Sequence, residues 1–581
     1  MVYIPKHMKW WGWGDVEAGF DSNAHPHFWP YAKAQLGIER DTPLAPPVPL
    51  DAVQLPEATV NSRFLAELRS ALHAGQVCDT RHERVVHAYG KGFRDLFRLR
   101  RGSAEGAPDL IVYPENENDV MRTLRAAARH DVAIIPFGGG SNIAGCLERM
   151  DTRRMAVSLD MRRMRRVLAV DAESCTARVE AGVFGPDLEE QLSAHGMTLG
   201  HFPDSFLHST LGGWIATRSA GMQSDKYGKI EDMVLALRMV TPEDVLATRM
   251  VPKSSNGIDV NHLCIGSEGT LGVITEATMR VHPRPESRVV PAHLFPEFES
   301  GLEAMRECVR RECTPSMVRL NDPDKTALSL AFKPPSSRIS RAVNEIFKRY
   351  LRVKGFDLPR ACLMLTAFEG RKEDVSSRLR QVSPIYRRFG GVSLGPSAGR
   401  SFESTKYDFP HIRDFLLERD VTTDVSETST VWSNILPLYR ATMRAIRAAV
   451  AESGVPPWSG CHISHTYHSS ASLYFTFGFI QQQGHEMEQY LAVKRAAQQS
   501  FIDHGATLSH HHAVGTEHLP WLAADISPLG VRAVAAIKQG LDSGNIMNPG
   551  RLCPSPDAFR EWLRIGGEPR ANMKAKAAPF R

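Results

Sequence analysis

Three glycine-rich bends, falling in order between residues 133 and 275, constrain this chain more than any other feature. The first is Pro136-Phe137-Gly138-Gly139-Gly140-Ser141-Asn142, entered directly from the apolar run Ala133-Ile134-Ile135. A strand that ends in three glycines can turn several N–H groups onto one anion, because no Cβ intervenes. It is not a P-loop, since no Gly-Lys-Ser/Thr follows, and it lacks the G-x-G-x-x-G spacing of a dinucleotide turn. The second bend lies within His201–Asp232: a turn at Pro203-Asp204-Ser205, a bend at Ser209-Thr210-x-Gly212-Gly213, then Thr217-Arg218-Ser219-Ala220-Gly221 at helical spacing. Small hydroxyls beside glycines can donate to a ligand that approaches the backbone closely. Taken alone, this stretch reads first as a Gly/Ser/Thr loop closing a helix, and its company reverses that preference. The third is Gly266-Ser267-Glu268-Gly269-Thr270-Leu271-Gly272-Val273-Ile274, a tight bend feeding a β-branched strand.

In this order the bends resemble the FAD-binding domain of the vanillyl-alcohol oxidase type, in which a pyrophosphate loop and two later loops enclose FAD. The resemblance implies cofactor contacts from Pro136 to Asn142, from Asp204, Ser205, Ser209, Thr210, Gly212, Gly213, Thr217, Arg218, Ser219 and Ala220, and from Glu268 to Ile274, that is Glu268, Gly269, Thr270, Leu271, Gly272, Val273 and Ile274. Where that family's loop continues with Thr-Ser, this chain has Ser141-Asn142, and Asn142 can still donate to a pyrophosphate. No histidine or cysteine directly follows the three glycines, so the FAD is expected to be non-covalent.

A chain of 581 residues has room for two or three domains. Its 70 basic and 65 acidic residues are spread along it. Arginine runs such as Arg94–Arg101 and Met161–Arg166 therefore read as solvated faces, with an anionic membrane surface as the lesser alternative. None is interleaved with aromatics, which excludes a single-strand nucleic-acid binder. Nine cysteines without a C-x-x-C pair point to neither disulfides nor zinc. No signal-peptide core, membrane-length apolar run or C-terminal S-K-L address is present. The expectation is a cytoplasmic protein, free to touch a membrane at its surface.

The expected fold class is α+β, with an N-terminal helical extension (1–104), an FAD-binding domain (105–285), an α+β cap domain (286–540) and a C-terminal return segment near the FAD (541–581). The extension opens with Trp10, Trp11 and Trp13, which read as packing anchors, and continues through a proline-rich linker. Strands are expected at Leu110–Tyr113, Val132–Phe137, Met317–Leu320, Ala361–Phe368 and Leu473–Ile480, and helices at Asn118–His130, Phe298–Cys313, Lys372–Phe389, Glu486–His504 and Ser527–Leu541.

Two stretches of the cap domain select the chemistry: Ser464-His465-Thr466-Tyr467-His468 and Ser509-His510-His511-His512. Flavin-dependent D-2-hydroxyacid dehydrogenases carry His-x-Gly-Asp-Gly-x-x-His and Glu-His-Gly there, and hold a metal with them. Here neither the Gly-Asp-Gly nor the glutamate is present. Tyr467 with the His triplet instead resembles the alkyl-dihydroxyacetonephosphate synthase family, as do Met8–Gly14, Gly228-x-Ile230-Glu231-Asp232 and Gly266–Thr275.

That resemblance, over about residues 8–552, implies exchange of the acyl chain of an acyl-dihydroxyacetone phosphate for a long-chain fatty alcohol. FAD is used without net redox change, with flavin N5 as a covalent partner, and lipids are the substrates. It implies a catalytic set of Tyr467, His510, His511, His512 and Arg319, substrate contacts from Arg413 and Thr428, and tunnel lining by Trp432. A tyrosine pKa of about 10 needs neighbouring imidazoles or cations to be useful near neutrality. If the triplet is extended, alternate histidine rings face one way, so a metal held by these three alone is not expected. One or two of them could instead cap loops, and Arg413 could instead pair with Asp414 or Glu418. A homodimer is expected, with no nucleic-acid partner. The alternatives in function are a flavin oxidoreductase of a 2-hydroxy acid or alcohol, and a flavin- or lipid-binding protein without turnover.

Overall fold

Leu110–Val112, Ala133–Phe137 and Ala156–Asp160 are almost wholly buried and apolar but for Ser158 and Asp160, and they pair in parallel as part of a four-stranded sheet. Strands buried on both faces read this way because neither face meets water. The parallel pairing needs a crossover, supplied by Glu117–His130, whose Asn116 side chain caps the N-terminus and whose Asp131 ends it in the left-handed region. The computed structural model describes residues 8–333 and 338–553. A second, five-stranded antiparallel sheet runs in the order Val167–Asp171, Thr176–Glu180, Val273–Arg280, Val234–Val240, Val245–Ala247. Helix Leu211–Thr217, capped by the Thr210 hydroxyl, packs against Val273–Arg280 and brings the second bend beside the first.

The third sheet has eight strands. Its centre runs in the order Cys362–Gly370, Met317–Asn321, Trp458–Thr466, Ser470–Ile480, Val421–Val431. Side chains alternate across a strand. One parity, including Ile463, Leu473, Phe475, Phe477 and Phe479, is buried against helices Ile435–Ala451 and Glu486–Asp503. The other parity carries Arg319, His462, Ser464, Tyr474, Thr476, Thr423 and Val425. Cross-strand register sets Arg319 opposite Ser464, His462 opposite Tyr474, and Val425 opposite Thr476. A bulge between Ser464 and Thr466 leaves His465 at φ 51 and turns it to the same side as Ser464.

Two expectations change here. Arg94–Arg101 is not a solvated face: Arg94 and Arg100 are 4% and 5% exposed, and Arg94 and Arg98 close on the buried Glu148 carboxylate. The amphipathic helix Phe93–Arg100 is simply covered on its charged side too. The final helix begins earlier, at Leu522, and breaks at Ser527 (φ 68) just before Pro528. The return segment pairs Asn548 N and Ile546 O with Ile134, and the Asn548 amide donates to Cys146 O and Glu268 O. The remainder of 541–581, beyond residue 553, lies outside the described residues.

The amino-terminal extension is fastened to the substrate side of the molecule. Trp13 N donates to Asp414 at 2.7 Å, and Lys9 Nζ lies 3.7 Å from the same carboxylate.

Candidate active site

All three glycine bends open into one cavity of about 2660 Å3, mouth included. On one side are Pro136–Asn142, Asp204, Ser205, Ser209, Thr210, Gly212, Gly213, Thr217, Ser219, Ala220, Glu268, Gly269, Gly272, Val273 and Ile274. Three expected contacts are not on this wall. Arg218 is the left-handed C-cap of its helix and donates outward to His262 O, the Thr270 hydroxyl donates to Ser267 O, and Leu271 is in the core.

Do these residues fit a dinucleotide? Among the described residues no acceptor meets the N–H groups of Gly139, Gly140 and Ser141. Gly140 has φ 68, and a Cβ on Gly139 would stand 1.9 Å from His208 O, so the loop exists only as glycine. Bare N–H groups at a strand end, flanked by hydroxyls, suit a pyrophosphate.

The facing wall is built by the eight-stranded sheet. His462, His465, His511, His512, Tyr474, Arg319 and Lys325 line it. The His triplet is not extended. Glu427, fully buried, accepts from the N–H groups of His510, His511 and His512 and from the Ser509 hydroxyl, and this curls the segment around one carboxylate. His511 and His512 therefore share the cavity, while His510 turns to Tyr467; adjacent rather than alternate rings face together. The Tyr467 hydroxyl lies 2.6 Å from His510 Nε2, and His510 Nδ1 lies 2.9 Å from His511 Nδ1. With His511 Nδ1–H donating to His510 Nδ1, His510 Nε2–H donates to the Tyr467 oxygen and His511 Nε2 keeps its lone pair. His465, His510 and His511 each have a ring nitrogen within 4.8 Å of the others, so the geometry could hold a metal. Hydrogen bonds to Ser224, to Tyr467 and between His510 and His511 engage nitrogens of the same three rings.

Burial keeps these imidazoles neutral. His511 is pushed down to about 3 and His512 to about 4, while His510 and His465 are also held well below the ordinary value. Burial of Glu427 opposes its charge, but the three histidines and the Ser509 hydroxyl hold its carboxyl well below the usual range. Burial raises the Tyr467 phenol.

The remaining expected residues are placed as follows. Arg413 lines the cavity, but it pairs with Asp424 at 3.0 Å and donates to Lys91 O, not to Asp414 or Glu418. The Thr428 hydroxyl donates to Thr507 O at 2.5 Å, away from the cavity, and so buttresses the histidine segment. Trp432 Nε1 donates to Tyr467 O and His468 O and is likewise a support, not a lining residue. Glu427, Tyr474 and Lys325 were not singled out from the sequence.

A third wall is apolar: Phe28, Ala32 and Leu36 of helix Phe28–Leu36, with Leu328, Phe332, Ile412, Leu416 and Trp458. Part of the amino-terminal extension, read as a clamp, is thus also a cavity wall.

Fold and cavity together define an FAD-binding enzyme. A family model described as FAD binding domain matches residues 108–247, and one described as FAD linked oxidases, C-terminal domain, matches 284–552. The chain is 38% identical to the alkyldihydroxyacetonephosphate synthase of Trypanosoma brucei brucei, covering 96% of this chain and 94% of that one. It is 37% identical to the Dictyostelium discoideum synthase, with 95% and 94% covered. A solved alkyldihydroxyacetonephosphate synthase superposes with a TM-score of 0.83 at 35% identity, covering 94% of this chain and 99% of that chain. p-Cresol methylhydroxylase shares the fold alone, with a TM-score of 0.65 at 16% identity, over 85% of this chain and 97% of that one. This chain belongs to the alkyldihydroxyacetonephosphate synthase family, and its cofactor is non-covalent FAD.

Proposed function

We propose that this protein exchanges the acyl chain of an acyl-dihydroxyacetone phosphate for a long-chain fatty alcohol, forming the ether bond of an ether lipid. One observation carries the reading: in a chain related end to end to such synthases, one cavity joins the glycine cradle, a wall of neutral imidazoles and cations, and an apolar branch lined by Phe28, Ala32, Leu36 and Phe332. When bound, the flavin supplies the covalent partner for the dihydroxyacetone fragment while one chain leaves and the other arrives.

The protein's own part is proton transfer and positioning. His511, facing the cavity with a free lone pair, takes the proton from the carbon beside the substrate ketone. Glu427 stabilises the imidazolium that forms, because its carboxylate lies 3.4 Å from His511 Nδ1. His510 couples this site to the Tyr467 phenol, which acts from behind the wall, and Arg319 presents positive charge to the substrate. Arg413, already paired with Asp424, fixes the edge of the substrate pocket. The apolar branch takes the alkyl chain out of water. Its substrates reside in membranes, and no described helix is long and apolar enough to cross one, so contact at the membrane surface is part of the proposal.

The test is incubation of the FAD-loaded protein with hexadecanoyl-dihydroxyacetone phosphate and radiolabelled hexadecanol. Labelled ether product is expected. Absence of labelled ether from FAD-loaded protein would overturn the reading. Bleaching of the flavin band near about 450 nm by a 2-hydroxy acid under anaerobic conditions would install the oxidoreductase alternative.

A further inference from the structure

The cavity is lined by two cations that have no ion-pair partner among the described residues. Arg319 and Lys325 both line it; Lys325 is 5% exposed and Arg319 is partly buried. The Arg319 guanidinium has one polar neighbour, His462 Nδ1 at 3.3 Å. Lys325 Nζ has no hydrogen-bond partner among the described residues; it lies 6.0 Å from the Phe409 ring centre and 5.9 Å from that of Tyr474. Arg319 flanks the same Phe409 ring at 5.8 Å. Neither cation has a carboxylate within ion-pair distance among the described residues; Asp204 and, for Lys325, Asp322 act only from further away. The Tyr474 hydroxyl, on the same wall, also has no hydrogen-bond partner among the described residues.

Taking an unpaired charge out of water is costly, and two like charges facing one space add repulsion. A dianion in that space would remove both penalties at once. The other arginine of the cavity, Arg413, offers no such vacancy, since Asp424 already neutralises it.

We propose that Arg319 and Lys325, with the Tyr474 hydroxyl between them and Arg413, form the subsite for the substrate's phosphate group, and that Lys325 is a substrate-binding residue of this enzyme. This rests on the synthase reading of the cavity. The strand register supports it: Arg319 stands opposite Ser464, one residue from the bulged His465, so the anion site and the imidazole wall are a few ångströms apart on one sheet face. Lys325 arrives from helix Pro323–Ala331, held at its N-terminus by the Asp322 cap onto Lys325 N at 2.8 Å. A phosphate there places the ketone carbons of a three-carbon ester beside the histidines. Burial pushes the Lys325 amine down to about 7, and an anion bound beside it would favour its charged form.

The experiment is isothermal titration of the FAD-loaded enzyme with hexadecanoyl-dihydroxyacetone phosphate, its phosphate-free analogue hexadecanoyl-dihydroxyacetone, and inorganic phosphate. Lys325→Met should weaken the phosphorylated ketone about 10- to 100-fold, the effect of losing a charged hydrogen-bond donor, and leave the phosphate-free ketone unchanged. Lys325→Arg should restore most of the affinity, which separates lost charge from misfolding. Binding of the phosphorylated ketone by Lys325→Met within about twofold of wild type, or equal weakening of both ketones, would overturn the assignment. Inorganic phosphate binding as tightly as the phosphorylated ketone would overturn it as a substrate subsite. Wild-type enzyme that binds with this Lys325 dependence but makes no ether would remove the reaction and leave the anion site standing.

Discussion

The Tyr467 hydroxyl and His510 Nε2 are 2.6 Å apart, and the pair stands directly behind the cavity wall that His465 and His511 form. Tyr467 thus addresses the reacting centre through imidazoles. Its replacement by phenylalanine removes one proton carrier and leaves the FAD cradle untouched. Tyr467→Phe should lower kcat for ether formation by about 10²–10⁴, the usual worth of a general acid–base group, with flavin stoichiometry unchanged. A labelled-hexadecanol assay alongside an absorbance spectrum checks both halves.

Glu427 accepts three successive backbone N–H groups, so it sets the shape of the histidine segment as well as its charge. Glu427→Gln keeps the volume but removes the charge from a fully buried network. A loss of stability of about 3 kcal/mol or more is expected, together with a fall in kcat. Thermal unfolding of the two proteins at neutral pH reads the first, and the turnover assay reads the second.

The depressed histidines fix a pH dependence. His511 and His512 are neutral in the fold down to about 3 and 4, whereas in the unfolded chain they charge below the ordinary 6.5. Between those values the unfolded state binds more protons, so stability rises with pH there and is lost as pH falls. Glu427 acts in the same sense: its stabilising charge is fully present above the ordinary carboxylate value of 4.5 and is lost well below it. Stability should be flat from pH 7 upward on account of these groups and decline below 6.5, and His511→Gln together with His512→Gln should flatten the decline. Urea titrations at a series of pH values measure it.

Gly139 has no room for a side chain, since an added Cβ would lie 1.9 Å from the His208 carbonyl oxygen. Gly139→Ala should yield protein that purifies without its yellow cofactor or does not fold, whereas Gly196→Ser, in open space although at φ 70, should still carry FAD at reduced stability of about 1 kcal/mol. The ratio of flavin to protein absorbance decides between them.

Ala32 is buried and lines the apolar branch from helix Phe28–Leu36. Ala32→Phe shortens that branch. The preference among fatty alcohols should move toward shorter chains, with the rate on the shortest good substrate retained. Competition between labelled decanol and hexadecanol in one reaction gives the answer directly.

The glycine bends and the strands that feed them were legible because their signals are local: a turn needs glycine where the chain turns. The α+β class followed from the same local alternation of strands and helices. What the linear reading missed arises from register and from distant packing. Tyr474 lies in an alternating aromatic strand that reads as core, and only its pairing with His462 shows that its parity faces the cavity. Glu427 sits 83 residues before the segment it shapes. Lys325, on an ordinary helix, becomes notable only because no carboxylate lies within ion-pair distance of it among the described residues, Asp322 and Asp204 acting from further away. The extended His triplet failed as an expectation because a carboxylate elsewhere in the chain curls it. Arg94 and Arg98 were misread for the same reason, since their partner Glu148 is 50 or more residues away.

Asn548 ties the first and third bends together by donating to Cys146 O and Glu268 O, and Met547 bridges to Ile134 at the root of the first. The pyrophosphate loop therefore gains its final support from residues synthesised some four hundred positions after it. A ribosome-bound chain that has not yet released residue 548 lacks this clasp, so the loop stands without its full support until that residue has been translated.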